Sequence, residues 1–171
     1  MLKAFYPDED VVSTYDIPFE RLYKSGTRGV IFDIDNTLVP HGAPADERAK
    51  KLFLRLHEIG LETCLLSNNK EPRVASFAKA VGSPRFIFRG NKPGVKGYQK
   101  AMELMGTDVR NTVFVGDQLF TDVYGAKRAG IHNILVKPIN PKEEIQIVLK
   151  RALEAIVLYF YYREKKRQEK F

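Results

Sequence analysis

Two aspartates separated by one residue, Asp33 and Asp35, follow the apolar run Val30, Ile31 and Phe32 in the stretch VIFDIDNTLVP. The run reads as the end of a buried strand, where an unpaired carboxylate is costly. Strand side chains alternate, so if the extended geometry persists one step further, both carboxylates face one spot at the C-terminal strand end. Open α/β sheets bind ligands there. Other polar groups fall at comparable points. Ser67, Asn68 and Asn69 follow the apolar LETCLL, Lys92 lies in GNKPG after RFIF, and Asp117 and Asp122 follow NTVFVG. Such a set holds what metal-assisted phosphoryl transfer requires: hard oxygen ligands for Mg²⁺, a nucleophile, a proton carrier, and a cation with hydroxyl and amide donors for phosphate oxygens.

The elements that must position these groups alternate along the chain. Strands are expected at 30–33, 61–66, 85–88, 111–116 and 133–136. A helix is expected from Asp46 to Gly60, with Ala49, Leu52, Phe53, Leu56 and Ile59 on one face. Val74, Phe77, Ala78 and Val81 repeat that spacing before Gly82, as do Tyr98, Ala101, Met102 and Met105 before Gly106. A fourth, shorter helix is expected from about Thr121 to Gly130. Strand and helix in alternation call for right-handed crossovers, hence an α/β fold with a central parallel sheet of about five strands between helical layers.

The 171 residues are enough for one domain, 1–171, that buries roughly 70% of the surface its unfolded chain exposes. A single cysteine, Cys64, excludes an intrachain disulfide and reads as a core residue. This favours a reducing, cytoplasmic setting. MLKAFYPDED lacks the apolar segment of a secretory signal, and no run approaches the roughly 20 apolar residues of a membrane span. The net charge is +7, and the segment 150–171, with seven Lys/Arg against three Glu, contributes +4 of it. A basic end of this kind suits phosphate-rich surfaces, lipid or nucleic acid. Outside that tail no interleaved aromatic and basic platform favours nucleic acid.

In order, FDIDNT (32–37), LLSNN (65–69), NKPG (91–94) and VGDQLFTDVYGAKRAG (115–130) resemble the four motifs of the haloacid dehalogenase (HAD) superfamily of phosphatases. About ten residues separate the first motif from the helix at Asp46, so no large cap domain fits, as in the capless subfamily III. The resemblance implies a HAD-like Rossmannoid three-layer sandwich. It also implies that Asp33 attacks phosphorus to form an aspartyl-phosphate, and that Asp35 protonates the leaving oxygen and then deprotonates water. The Asp33 carboxylate, the Asp35 backbone carbonyl and Asp117 would hold Mg²⁺, with Asp122 assisting. Ser67 and the Asn68 amide would bind phosphoryl oxygens, and Lys92 would neutralise the transferring group, with Lys96 as its rival. The opening FYPDEDVVSTYDIPFERLYKSGTRGVIFDIDNTLVP, together with the short capless body, further resembles the bacterial branch of subfamily IIIA related to mitochondrial-type phosphatidylglycerophosphate phosphatases. That implies a phospholipid substrate dephosphorylated to phosphatidylglycerol.

The last element expected is a basic amphipathic helix over about 142–170. Ile145, Val148, Leu149, Ala152, Leu153, Ile156, Val157 and Phe160 form a stripe that packing on the domain would explain. Leu158, Tyr159, Tyr161 and Tyr162 widen it just before REKKRQEK, a pattern that also suits an anionic membrane at the inner face or a protein partner. A second reading follows: a non-catalytic HAD-like module recruiting a protein or RNA through that helix. The Asp33 and Asp35 pair weighs against it, since a binding module needs no proton carrier. His41, in the loop after the first motif, overhangs the expected site, whereas His57 and His132 read as surface residues.

Overall fold

The structure is a computed structural model that describes residues 1–140 and 145–169, with the side chains of 145–147 left aside. Six parallel strands form one sheet: β1 (Glu9–Val11), β2 (Gly29–Phe32), β3 (Glu62–Leu66), β4 (Phe86–Ile87), β5 (Thr112–Gly116) and β6 (His132–Val136), in the order β1-β6-β5-β2-β3-β4. The central strand β2 is buried along its whole length, as its unbroken apolar sequence requires. Phe32 lies level with Leu65 and Val115, so the first, second and fourth motifs emerge side by side.

Helices cover both faces. α1 (Phe19–Lys24), α2 (Glu47–Ile59) and α3 (Glu71–Val81) enclose one core with Phe32, Leu65 and Val115. On the other face α4 (Lys96–Met105) and α5 (Tyr124–Arg128) enclose a second core around Ile31, Cys64 and Phe114. α2 starts where the Asp46 side chain accepts a hydrogen bond from the Ala49 amide at 2.8 Å, and it stops at Gly60, whose φ of 99° is left-handed. No large cap interrupts the described residues.

α1 has no counterpart among the expected elements, and three others differ from expectation. The sheet has six strands rather than about five, because β1 pairs with the edge of β6. The acidic run Asp8, Glu9, Asp10 conceals it in the sequence. An edge strand tolerates such residues, and Asp8 is tied to Asn133: its carboxylate accepts from the Asn133 side chain at 2.7 Å and backbone at 3.1 Å. The fourth helix begins earlier and in two parts, a π-helical turn at Leu119–Val123 followed by α5.

The third difference concerns α6 (Ile145–Gln168). Of the described members of its expected packing stripe, only Val157 is buried, while Val148, Leu149, Leu153, Ile156 and Phe160 are between 41% and 65% exposed. The opposite face docks instead, through Glu154, Val157 and Tyr161. Polar anchors select that face. The Glu154 carboxylate accepts from the Leu119 amide at 3.0 Å, and Asp10 accepts from Tyr161 at 3.0 Å, Tyr162 at 3.2 Å and Lys165 at 2.7 Å. Ile145 lies outside the described side chains.

The Asp10 anchor makes the docking of α6 sensitive to acid. Burial acts to raise its pKa, but the bonds from Lys165, Tyr161 and Tyr162 outweigh it and hold the carboxyl below its ordinary value. A carboxylate depressed in the folded state contributes stability above its unfolded pKa of about 3.9, and the contribution is lost as pH falls through the folded value. Amide-exchange protection over 157–165 is therefore expected to fall on acidification below about pH 4. Asp10→Asn should flatten that dependence, as exchange measured across a pH series would register.

Candidate active site

The site forms where β2 and β5 end. The Asp33 amide donates to the Val115 carbonyl at 3.0 Å, which carries the extended backbone one residue past β2 and delivers Asp33 to the sheet edge. Asn36 then takes a φ of 60°, a left-handed conformation that asparagine tolerates better than most residues. Its side-chain oxygen accepts from the Asn140 amide at 3.1 Å. The turn so formed sets Thr37 within reach of two carboxylates, Asp117 at 3.1 Å and Asp33 at 3.4 Å.

Asp33, Asp117 and Asp122 are all buried, and each offers an oxygen within 4.8 Å of the others. Lys92 enters the group from the loop after β4. Its ammonium donates to Asp33 and to Asp122, each at 2.7 Å. Asp122 is held in turn, because its second oxygen accepts from the Gln118 amide at 3.0 Å and the Asp117 amide at 3.1 Å. Burial pushes the Asp33 carboxyl up to about 6 against the opposing attraction of Lys92. Asp117 is raised well above the ordinary carboxylate range by burial and by its neighbours Asp122 and Asp33. Three hard oxygen donors that repel one another fit a small divalent cation, whose charge would remove that repulsion.

Asp35 shares the cavity of about 350 Å³ lined by Asp33, Ser67, Asn68 and Lys92, but its carboxylate stands outside the three-oxygen cluster. It accepts from the Gly42 amide at 2.8 Å, from Arg73 at 2.9 Å and from Asn69 at 3.4 Å. Burial acts to raise its pKa, yet Gly42 and Arg73 prevail and hold it below the usual value. Ser67 is buried, its hydroxyl accepting from the Asn69 amide at 3.1 Å. The Asn68 side chain clamps the backbone of Lys92, donating to its carbonyl at 3.1 Å and accepting from its amide at 2.7 Å. Lys96 is exposed at the start of α4 and takes no part in the cluster. His41 lines the cavity, whereas His132 sits on the surface 2.8 Å from Glu9.

Several contributors escape sequence reasoning. Arg151 of α6 pairs with the Asp117 carboxylate and donates to the Asp117 carbonyl at 2.8 Å and to Glu154 at 2.9 Å. Lys150 lines the same cavity and donates to Gln118 at 2.8 Å. Both are hidden in the general basicity of the C-terminal segment; the one signal is Glu154, an isolated acid in an otherwise apolar and basic stretch. Thr37 is flagged by its place in FDIDNT, and Arg73 by nothing local.

At Gly116 the Asp122 side chain leaves no room for a Cβ. A Cβ there would lie 2.5–2.7 Å from the Asp122 side chain. Gly116→Ala is thus expected to displace Asp122 from its two amides and from Lys92, and to destabilise the fold by about 1–3 kcal/mol. Urea denaturation would measure the loss.

The chain is similar to known proteins over most of its length. The haloacid dehalogenase-like hydrolase family matches residues 41–130. Probable phosphatase YqeG of Bacillus subtilis (strain 168) is 38% identical over 160 residues, covering 92% of each chain. Phosphatidylglycerophosphate phosphatase 1, chloroplastic/mitochondrial, of Arabidopsis thaliana is 30% identical over 161 residues, 86% of this chain and 45% of that protein. Among solved structures, an uncharacterized protein from Listeria monocytogenes serotype 4b superposes with a TM-score of 0.54 at 20% identity, over 69% of this chain and 84% of that one. A putative HAD superfamily (subfamily III A) hydrolase from Legionella pneumophila does so with 0.52 at 17% identity, over 67% and 68%. The structural likenesses concern the fold, a parallel α/β sheet without a large cap. The chain belongs to the haloacid dehalogenase-like hydrolase family.

Proposed function

We propose that this HAD-family phosphatase is a Mg²⁺-dependent phosphomonoesterase that works through an aspartyl-phosphate on Asp33 and removes the terminal phosphate of phosphatidylglycerophosphate. The observation that carries the catalytic part is the buried cluster of Asp33, Asp117 and Asp122 with Lys92 bonded to two of them. A pure binding module would gain nothing from burying that much like charge.

In this reading Asp33 attacks phosphorus while the bond to the leaving alkoxide breaks, and Lys92 and the Ser67 hydroxyl stabilise the charge on the phosphoryl oxygens. Asp33, Asp117 and Asp122, with the Asp35 carbonyl, would hold Mg²⁺, which supplies Lewis-acid stabilisation of the transferring group. Asp35 delivers a proton to the leaving oxygen and recovers one from the water that cleaves the aspartyl-phosphate. Gly42 and Arg73 position its carboxylate, and a phosphate dianion bound beside it favours the protonated form. Asn68 positions Lys92 rather than touching phosphate with its side chain.

Support for the lipid comes from the named activity of the Arabidopsis relative and from that of phosphatidylglycerophosphate phosphatase 1, chloroplastic, of Chlamydomonas reinhardtii, 26% identical over 149 residues. No helix among the described residues is long and apolar enough to cross a membrane; in this reading the enzyme meets its lipid peripherally, at the cytoplasmic face. Residues 1–171 are read as one catalytic unit, with α6 contributing to the site through Arg151 and Lys150. The test is phosphate release from phosphatidylglycerophosphate in detergent micelles, compared with sugar and nucleotide phosphates, each with Mg²⁺ and with chelator. Preference for the lipid and loss of turnover on chelation are expected; faster turnover of a sugar or nucleotide phosphate would reject the substrate.

A further inference from the structure

α6 is held by one face and bare on the other. Half of the large hydrophobic side chains exposed among the described residues, seven of fourteen, belong to this one helix. Val148, Leu149, Leu153, Ile156, Tyr159 and Phe160 share a side, since their spacing of one, three and four residues follows the helical turn. They extend along roughly 18 Å at 1.5 Å per residue. The docked side is tied down over the same length by Arg151, Glu154, Tyr161 and Lys165, so the bare stripe belongs to a helix firmly seated on the protein.

The charge along this side is one-signed. Arg163, Lys166 and Arg167 continue the line of Ile156, Tyr159 and Phe160, and all three are exposed. Glu154 is buried against Leu119, Glu164 turns to Lys3 at 2.7 Å, and the exposed Glu169 lies beyond the last of those cations and acts on Lys165, so no acid interrupts the line. The stripe also begins at the catalytic cavity: Leu149 adjoins Lys150, which lines it, and Arg151, which holds Asp117.

We propose that the outward face of α6 docks on an anionic lipid surface, its apolar turns entering the interface and Arg163, Lys166 and Arg167 meeting lipid phosphates. The proposal rests on the lipid-phosphatase reading and deepens it by naming the surface that meets the membrane. Aliphatic and aromatic side chains followed by cations, without an intervening exposed acid, match the apolar and anionic layers of a lipid interface. A second copy of the chain matches less well. A two-fold interface pairs a patch with itself, and this one offers no acid to receive the partner's cations. Because the stripe starts at the cavity rim, docking also brings the site to the headgroup layer.

Flotation with phosphatidylcholine vesicles, with and without phosphatidylglycerol, tests the surface. The intact protein should bind the anionic vesicles preferentially and lose binding as salt rises. Replacing the cations together (Arg163→Gln, Lys166→Gln, Arg167→Gln) should weaken that binding by about two orders of magnitude, at roughly a factor of five per cation. Lys165 is spared because it holds Asp10. The apolar pair Leu153→Ser and Ile156→Ser should weaken binding at least about tenfold, and these residues are exposed, so the fold should stand. Hydrolysis of p-nitrophenyl phosphate and the circular dichroism spectrum should be unchanged in every variant. Equal vesicle binding by the intact and substituted proteins would overturn the proposal. So would a dimer that Ile156→Ser splits while the intact protein ignores vesicles. If the intact protein floats with anionic vesicles but leaves phosphatidylglycerophosphate intact in micelles, the surface stands and the substrate falls; micellar hydrolysis without vesicle binding gives the reverse.

Discussion

Asp33→Asn is expected to lower turnover of any phosphomonoester by about six orders of magnitude, the scale on which removal of a covalent nucleophile acts. An amide oxygen is too weak a nucleophile to open the phosphorus centre, and among the described residues the neighbouring carboxylates are otherwise engaged: Asp117 pairs with Arg151, Asp122 is bound by Lys92 and two amides, and Asp35 lies outside the cluster. The fold should survive. Asparagine keeps an acceptor for Lys92, and it removes one of three mutually repelling buried charges, so the thermal midpoint should hold or rise. Beryllofluoride, which mimics an aspartyl-phosphate, should bind the intact protein with Mg²⁺ and fail to bind the variant. Retained turnover in Asp33→Asn would show that the nucleophile lies elsewhere.

Lys92→Ala should impair both stability and chemistry, and for one reason. Burial alone would lower the Lys92 pKa, but Asp122 and Asp33 outweigh it and raise it, so the ammonium stays charged throughout the accessible pH range. Removing it leaves buried carboxylates without their shared cation, a change that costs about 3–5 kcal/mol when one partner of a buried pair is lost. In the proposed mechanism it also removes a fixed positive charge beside the transferring phosphoryl group, worth about 10²–10³ in turnover. If the cluster holds Mg²⁺ as proposed, the added ion should restore part of the stability, because it would neutralise the same oxygens, but little of the rate. Lys96→Ala is the control: exposed and outside the cluster, it should shift stability by less than about 0.5 kcal/mol. Urea denaturation with and without Mg²⁺, alongside turnover, separates the two effects, and equal small losses in both variants would remove Lys92 from the site.

What the sequence by itself determines is the part of the molecule governed by short-range pattern. The unbroken apolar VIF reads as a strand buried on both faces, and the strand it forms is buried throughout, which puts Asp33 at a sheet end. Asp46 and Gly60 bound α2 because a side-chain acceptor and a left-handed glycine satisfy its ends locally. The same logic places Ser67, Lys92, Asp117 and Asp122 after apolar strands, which the sheet then sets side by side. Tertiary structure alone decides the rest, since it depends on partners distant in the chain. β1 is a strand only because β6 offers an edge and Asn133 receives Asp8. Arg73 reaches Asp35 across 38 residues, and Arg151 reaches Asp117 across 34. In α6 the periodicity shows which residues share a side but not which side meets the protein. That choice fell to the face carrying Arg151, Glu154, Tyr161 and Lys165, because those groups find hydrogen-bonding partners on the domain. The more apolar face was left outward for the same physical reason: anchoring this helix depends on satisfied polar groups as much as on buried hydrocarbon.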